Sequence, residues 1–166
     1  MSSTHGSRFD PAEDHRFSDS RYFEDFEVGE KFYIPSRTMS DAYFAAFQLA
    51  SGDNHPIHYD IEYCRARGHR GLLAHGLQVV CQTAPGAGSL PHLIGDAMVA
   101  FVEQSSRFLG PVYSGDTVYP MLEIVELKAG QTTGVIVLRS TVHNQNGELV
   151  MEGEQKLLVR QRAATG

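Results

Sequence analysis

The sequence predicts an α+β domain in which an antiparallel sheet packs around one central buried helix. The first observation is the order of elements: one strand-like segment, short helical segments, one apolar helical segment and then four strand-like runs. The second is Asn146-Gly147, the strongest hairpin signal in the chain, because this pair accepts the positive φ angles of a tight turn. The third is the length of 166 residues, which suits one domain.

The N-terminal segment differs in composition from the rest of the chain. Residues 1–20 are polar with few apolar anchors, so we expect a flexible arm followed by a single domain over 21–162. This segment lacks the apolar core of a signal peptide, and no run of about 18 apolar residues is present that could span a membrane. We therefore expect a cytoplasmic protein without a membrane partner. The net charge of −6 argues against a nucleic-acid partner.

The first half of the predicted domain contains one strand and two helices. Glu30 to Arg37 is the predicted strand. Ser40-Asp41 predicts the N-cap of a helix from Ala42 to about Ala50, whose apolar residues keep helical spacing. Ile61 to about Arg67 predicts a second short helix, with Asp60 as its cap.

The central helix is predicted from about His75 to Ala84, because this segment is apolar nearly all round and has few charges. Cys64 and Cys81 are flanked by apolar residues, which predicts two buried free thiols. The four strand-like runs are about 97–108, 115–127, 132–143 and 148–160. A sheet that curls round one helix leaves an edge strand and an open face, which favours a homodimer or a higher homo-oligomer.

Residues 51–60 contain two carboxylates and two imidazoles within ten positions. A helix would place Asp53 and His58 about 140° apart. Pro56 disfavours that helix, because it lacks an N–H and pushes His55 out of the α region. A loop can instead bring Asp53 and His58 to one point, and a carboxylate and an imidazole that share a small volume suit general acid–base chemistry.

Two other interpretations of this loop stay open. Asp53 can cap a backbone N–H of a turn while His58 lies on the surface, and Tyr59 is interpreted as a packing residue. The histidines could also bind a metal together with the flanking carboxylates. Because His55 and His58 lie three positions apart across a proline, with no third histidine at helical spacing, we expect no metal.

Five segments of the chain match the motifs of one family. Residues 51–58 are similar to a hydratase motif, usually Gly-Asp-x-Asn-Pro-[Ile/Leu]-His, and residues 74–76 match its His-Gly motif at the head of the central helix. Residues 22–29 are similar to its start, and residues 108–112 and 115–117 are similar to its later strand and turn. On these segments, the chain resembles the MaoC-like hydratase/dehydratase family of hot-dog folds, which includes the R-specific enoyl-CoA hydratases. The resemblance covers about residues 20–160.

The resemblance implies a lyase of fatty acid metabolism that adds water reversibly across the 2,3 double bond of an enoyl thioester, forming a 3-hydroxyacyl thioester. The family's acid–base pair falls on Asp53 and His58, which would hold one water, take a proton from it and deliver a proton to the α-carbon. The glycine of the His-Gly motif falls on Gly76, whose backbone N–H would bond the thioester oxygen as it becomes enolate-like. No cofactor is implied beyond the coenzyme A that belongs to the substrate.

The resemblance also indicates substrate-binding positions. His55 stands where the family usually has Asn, and it is either a loop residue or a substrate contact. His75 either packs at the head of the helix or forms a wall of the substrate site. Ala84 stands where some family members have Ser, so a hydroxyl role there is lost or passes to Thr83.

Arg65, Arg67 and Arg70 lie within six residues of one another. They form either a solvated face or a clamp for the phosphates of coenzyme A or of a carrier-protein arm. Because a fold does not fix a function, two alternatives to a hydratase stay open. These are an acyl-CoA thioesterase and a non-catalytic protein that binds acyl thioesters.

Overall fold

The computed structural model describes residues 8–15 and 18–163. The strands are β1 Lys31–Tyr33, β2 Arg37–Thr38, β3 Met98–Phe108, β4 Thr117–Ala129, β5 Thr133–Asn144 and β6 Leu149–Arg160. They form one sheet of order β1-β4-β5-β6-β3, with β2 also paired to β4, and every pairing is antiparallel. Pro35 lies between the two short strands, where it cannot donate a ladder hydrogen bond, and the single predicted strand is therefore split.

The helices precede β3 in the chain. The α-helices are α1 Pro11–Asp14, α2 Asp41–Ser51, α3 Ile61–Ala66, α4 Gly76–Cys81 and α5 Leu90–Ile94. Together, the antiparallel sheet and the central helix α4 form the predicted α+β arrangement, a hot-dog fold. Within the described ranges, no helix is both long and apolar enough to cross a membrane.

Two apolar clusters fill the space between the sheet and the helices. Along the inner face of β5, Leu138 belongs to the first cluster and Val142 to the second, with the buried Ser140 between them. On β6, the buried Gln155 pairs with Leu138, and its side-chain amide donates to the Thr83 carbonyl and hydroxyl oxygens at 3.0 Å. These hydrogen bonds tie the segment after α4 to the sheet.

The structure corrects the prediction for the central helix. It ends at Cys81 rather than at Ala84, and only one face of it is covered: Val79 is buried, whereas Leu77 is 68% exposed. Cys64 is buried as predicted, but Cys81 is exposed. The helix is therefore apolar on two faces, and this chain buries only the face toward the sheet.

The predicted N-terminal arm lies partly outside the described residues, which omit 1–7, 16 and 17. Its described part contains α1 and a segment in contact with the domain. The Ser18 hydroxyl donates to the His92 carbonyl at 3.2 Å, and the Ser20 hydroxyl accepts the Asp96 N–H at 3.0 Å. The chain therefore meets the domain before the predicted start at residue 21.

Candidate active site

The loop that follows α2 reverses the chain over a few residues. Gly52 ends the helix in the left-handed region with φ of 70°, which glycine adopts without a Cβ penalty. The Asp53 carboxylate then accepts the His55 N–H at 3.2 Å. Pro56 begins a single 3-10 turn over Pro56–His58. As predicted, the glycine and the proline exclude a continuous helix, and Asp53 and His58 come to lie side by side.

His58 and Asp53 face each other across a short gap. His58 Nε2 lies 3.9 Å from Asp53 Oδ2, the His58 side chain is largely buried, and the Asp53 carboxylate is half exposed. His58 Nδ1 lies 2.6 Å from the Leu73 carbonyl oxygen. Because a carbonyl oxygen only accepts, Nδ1 carries the hydrogen, and the Nε2 lone pair of the neutral ring is directed toward Asp53.

The surroundings of His58 favour its neutral form. Burial is the largest cause that lowers the pKa of His58 below its ordinary value of 6.5, and the neighbouring His75 and His55 lower it further. The hydrogen bond to the Leu73 carbonyl and the charge of Asp53 act in the opposite direction but do not outweigh these effects. A neutral imidazole beside a carboxylate can accept a proton near neutral pH.

His75 joins this group from the residue before α4. Its ring stacks on that of His58, with centroids 3.7 Å apart and planes at 22°. The Tyr59 hydroxyl lies 2.7 Å from His75 Nε2, so the role of Tyr59 is not packing alone. Neither contact could be predicted from the sequence, because His75 lies 16 positions after Tyr59 and meets it only in the folded chain.

One ligand atom each of Asp53, His58 and His75 lies within 4.8 Å of the others, which is close enough for a shared metal ion. A metal ion lies in the plane of each imidazole that binds it, about 2.0–2.1 Å from the nitrogen. Two rings stacked face to face have planes that do not meet at such a distance. This arrangement therefore suits hydrogen bonding and proton transfer better than a shared metal.

Gly76 is the first residue of α4 and borders a groove of about 410 Å³. The groove is lined by Leu73, Ala74, Gly76, Val79 and residues 108–112. A Cβ atom at Gly76 would lie 2.9 Å from the Phe108 ring, so only glycine leaves this approach open. The backbone amides at the start of a helix have no intrahelical partner, and the Gly76 N–H directly follows the histidine that stacks on His58.

His55 performs a structural role in the loop. Its ring nitrogen Nδ1 accepts the Ile57 N–H at 3.3 Å, which caps the 3-10 turn. The same ring packs edge-on against Tyr63, with centroids 5.6 Å apart. His55 therefore steadies the loop at the position where the motif usually has Asn, and a substrate contact by His55 stays a prediction.

Arg65 and Arg67 lie on and directly after α3, whose N-cap is Asp60 as predicted. Arg65 forms an ion pair with Glu62, and both side chains are mostly exposed. The Arg67 guanidinium lies over the Tyr63 ring, 3.4 Å from its centroid. Such exposed contacts can be exchanged at little cost, so the predicted phosphate clamp stays a prediction for these two arginines.

Arg70 has a structural partner that the sequence analysis missed. Its guanidinium lies 2.5 Å from both oxygens of the buried Asp116 carboxylate, which also accepts the Tyr113 N–H at 2.8 Å and a Gln145 N–H at 2.9 Å. Burial alone would raise the pKa of Asp116, but these hydrogen bonds together outweigh it and lower the pKa. Because it holds Asp116, Arg70 ties the turn before β4 to the segment before α4.

Thr83 does not take over a hydroxyl role in the groove. Its hydroxyl donates to the Val80 carbonyl at 2.8 Å and accepts from the buried Gln155. Both partners belong to the interior between helix and sheet. Ala84 is exposed, so neither residue supplies a reactive hydroxyl near His58.

The chain is similar in sequence to known proteins over most of its length. A family model described as MaoC like domain matches residues 25–146. A UPF0336 protein of Streptomyces griseus is 35% identical over 120 residues, which cover 69% of this chain and 79% of the relative. An (R)-specific enoyl-CoA hydratase of Rhodospirillum rubrum is 27% identical over 148 residues, covering 85% of this chain and 93% of the relative.

A solved structure supports the fold. A Mycobacterium tuberculosis protein described as having a double hot-dog fold superposes with a TM-score of 0.75 at 28% identity, over 89% of this chain and 46% of that chain. The family match includes the whole 51–58 motif and Gly76. The chain therefore belongs to the MaoC-like domain family of hydratases and dehydratases.

Proposed function

We propose that this protein is a hydratase/dehydratase that interconverts a 2-enoyl thioester, in particular an enoyl-CoA, and the 3-hydroxyacyl thioester. The observation that carries the proposal is the arrangement of Asp53 and His58. A gap of 3.9 Å is too long for a direct hydrogen bond but fits a water oxygen that donates one hydrogen to each group. The enoyl-CoA hydratase activity named for the relative from Rhodospirillum rubrum supports the same reaction.

The proposed reaction contains two proton transfers. Asp53 Oδ2 accepts one hydrogen of the water and orients it, and His58 Nε2 takes the other proton as the water oxygen bonds to C3. The electron pair of the double bond moves to C2 and the thioester oxygen, where the Gly76 N–H stabilises the developing negative charge. His58 then returns its proton to C2, so that the elements of one water molecule have been added.

Purified protein mixed with a panel of short trans-2-enoyl-CoAs tests the proposal. We expect the absorbance of the conjugated thioester to fall and 3-hydroxyacyl-CoA to accumulate. A thiol reagent in a parallel sample detects free coenzyme A. Release of thiol without hydration supports the thioesterase alternative, and tight binding without either reaction supports the non-catalytic alternative; either result contradicts the proposal.

The lowered pKa of His58 predicts the pH dependence of the reaction. Because neutral His58 is the base, kcat/KM is expected to fall on the acidic side only below 6.5, the ordinary histidine value. The lowered pKa also means that the unfolded chain gains a proton on His58 before the folded chain does. The free energy of unfolding should therefore decrease as the pH falls below 6.5 and level off below the pKa of the folded state.

A rate profile with urea unfolding measured at each pH checks both expectations. The His58→Ala variant is the control for stability, because it lacks the titrating group. An acidic limb of kcat/KM that begins above 6.5 would show that His58 is not the neutral base.

We also propose that the protein is a homodimer that pairs through β3. This strand is an edge of the sheet, and apolar side chains along it are exposed, including Val99, Phe101 and Val102. An exposed apolar edge strand is a template for pairing with another chain. A second copy would also cover Leu77 on the uncovered face of α4.

Light scattering after gel filtration should give twice the chain mass of 18.3 kDa. The substitution Val102→Glu places a charge on the edge strand and should shift the protein toward the monomer. Val28→Glu is the matched control, since Val28 is exposed beside β1 at the opposite edge of the sheet. A dimer that Val102→Glu leaves unchanged would place the interface elsewhere.

A further inference from the structure

One buried titratable group near the gap has no part in the proton movements above. His75 is 2% exposed, and two aromatic side chains pack against its ring. The His58 ring stacks on it, and Phe47 of α2 packs against it with centroids 4.9 Å apart. His75 Nε2 lies 2.7 Å from the Tyr59 hydroxyl and 3.3 Å from the Asp53 carbonyl oxygen, and Nδ1 lies 3.4 Å from the Gln78 side-chain oxygen.

We propose that Tyr59 and His75 are positioning residues that fix the plane and the tautomer of the His58 ring. Tyr59 and Gln78 hold His75 at both ring nitrogens, so the ring cannot turn without losing a hydrogen bond. His75 presents its flat face to His58, which therefore keeps Nδ1 on the Leu73 carbonyl and Nε2 toward Asp53. His75 does not need to touch the substrate for this role, which differs from the substrate wall that the sequence suggested.

The same contact couples the charges of the two rings. A proton on His75 would place a positive charge 3.7 Å from the His58 centroid and oppose a second proton there. The other titratable groups that face His58 are Asp53, His55 and Tyr59. Of these, only Asp53 raises the pKa of His58. Removing His75 therefore takes away one of the groups that lower this pKa.

Tyr59→Phe is the sharper test, because it removes one hydroxyl and keeps the ring. We expect kcat to fall about 10- to 100-fold, as for a misplaced reactive group, while KM and the melting temperature change little. His75→Phe keeps a stacked ring but removes both nitrogens, and it should raise the pKa of His58. Histidine ring resonances in NMR, assigned with His58→Ala, report that pKa and the tautomer of His58.

Tyr63→Phe is the control, since Tyr63 lies against His55 rather than His75. Because only the kinetic readout rests on the proposed function, the NMR titration distinguishes the two failures. If no enoyl-CoA is hydrated but Tyr59→Phe changes the His58 tautomer or pKa, the positioning role holds and the proposed function is wrong. If Tyr59→Phe and His75→Phe both leave the His58 resonances and pKa unchanged, the positioning role is overturned.

Discussion

Asp53→Asn and His58→Ala are each expected to lower kcat/KM for enoyl-CoA hydration by about 100- to 10,000-fold, the range that a positioned acid or base contributes. Asparagine keeps the shape of Asp53 but offers an N–H where the water must donate. Alanine at position 58 removes the Nε2 lone pair that faces Asp53 across the gap. The measurement is the initial rate of absorbance loss at subsaturating substrate.

The double variant tests whether Asp53 and His58 act as one acid–base unit or contribute to the rate independently. Because both groups act on the same water, the double variant Asp53→Asn with His58→Ala should have a kcat/KM only slightly below that of the less active single variant. Asp60→Asn is the matched control in the same loop. Asp60 caps α3 by accepting the Glu62 and Tyr63 N–H groups, and Asn also serves as an N-cap. Full activity in both single variants would contradict the proposed roles.

The strands could be predicted closely because their information is local. Each of the four long strands begins and ends within two residues of the predicted bounds. Alternating side chains and turn residues such as Asn146-Gly147 specify them without reference to the rest of the chain. The extent of α4 could not be predicted in this way. Its burial depends on what covers Leu77 and Cys81, which the sequence pattern alone does not describe.

The contacts of the candidate site also differ in whether they could be predicted from the sequence. The proximity of Asp53 to His58 follows from Gly52 and Pro56 within one loop, so the sequence predicted it. The stacking of His75 on His58 and the pairing of Arg70 with Asp116 join residues 17 and 46 positions apart. These contacts arise when the loop, the start of α4 and the turn before β4 pack together, and neither periodicity nor spacing contains that information.

Gly153→Ala is expected to lower the free energy of unfolding by about 3 kcal/mol, the upper part of the usual range for overpacking. A Cβ atom at this position would lie 2.1 Å from the Ser105 carbonyl oxygen and 3.0 Å from the Ser106 Cα. Both atoms belong to the backbone of β3, so relief requires the strand to move away from β6. Urea unfolding and the melting temperature, with an expected decrease of roughly 6–12 °C, measure the effect.

The consequence should reach the candidate site, because β3 ends at Phe108, whose ring lies over Gly76. A displaced β3 would also alter the edge that the proposed dimer uses, so Gly153→Ala should weaken association as well as stability. Gly86→Ala is the control, since a Cβ atom there meets nothing within 4 Å. Equal stability of the two variants would show that β3 can shift along β6 at little cost. In that case, the close pairing of β3 with β6 does not hold Phe108 against α4.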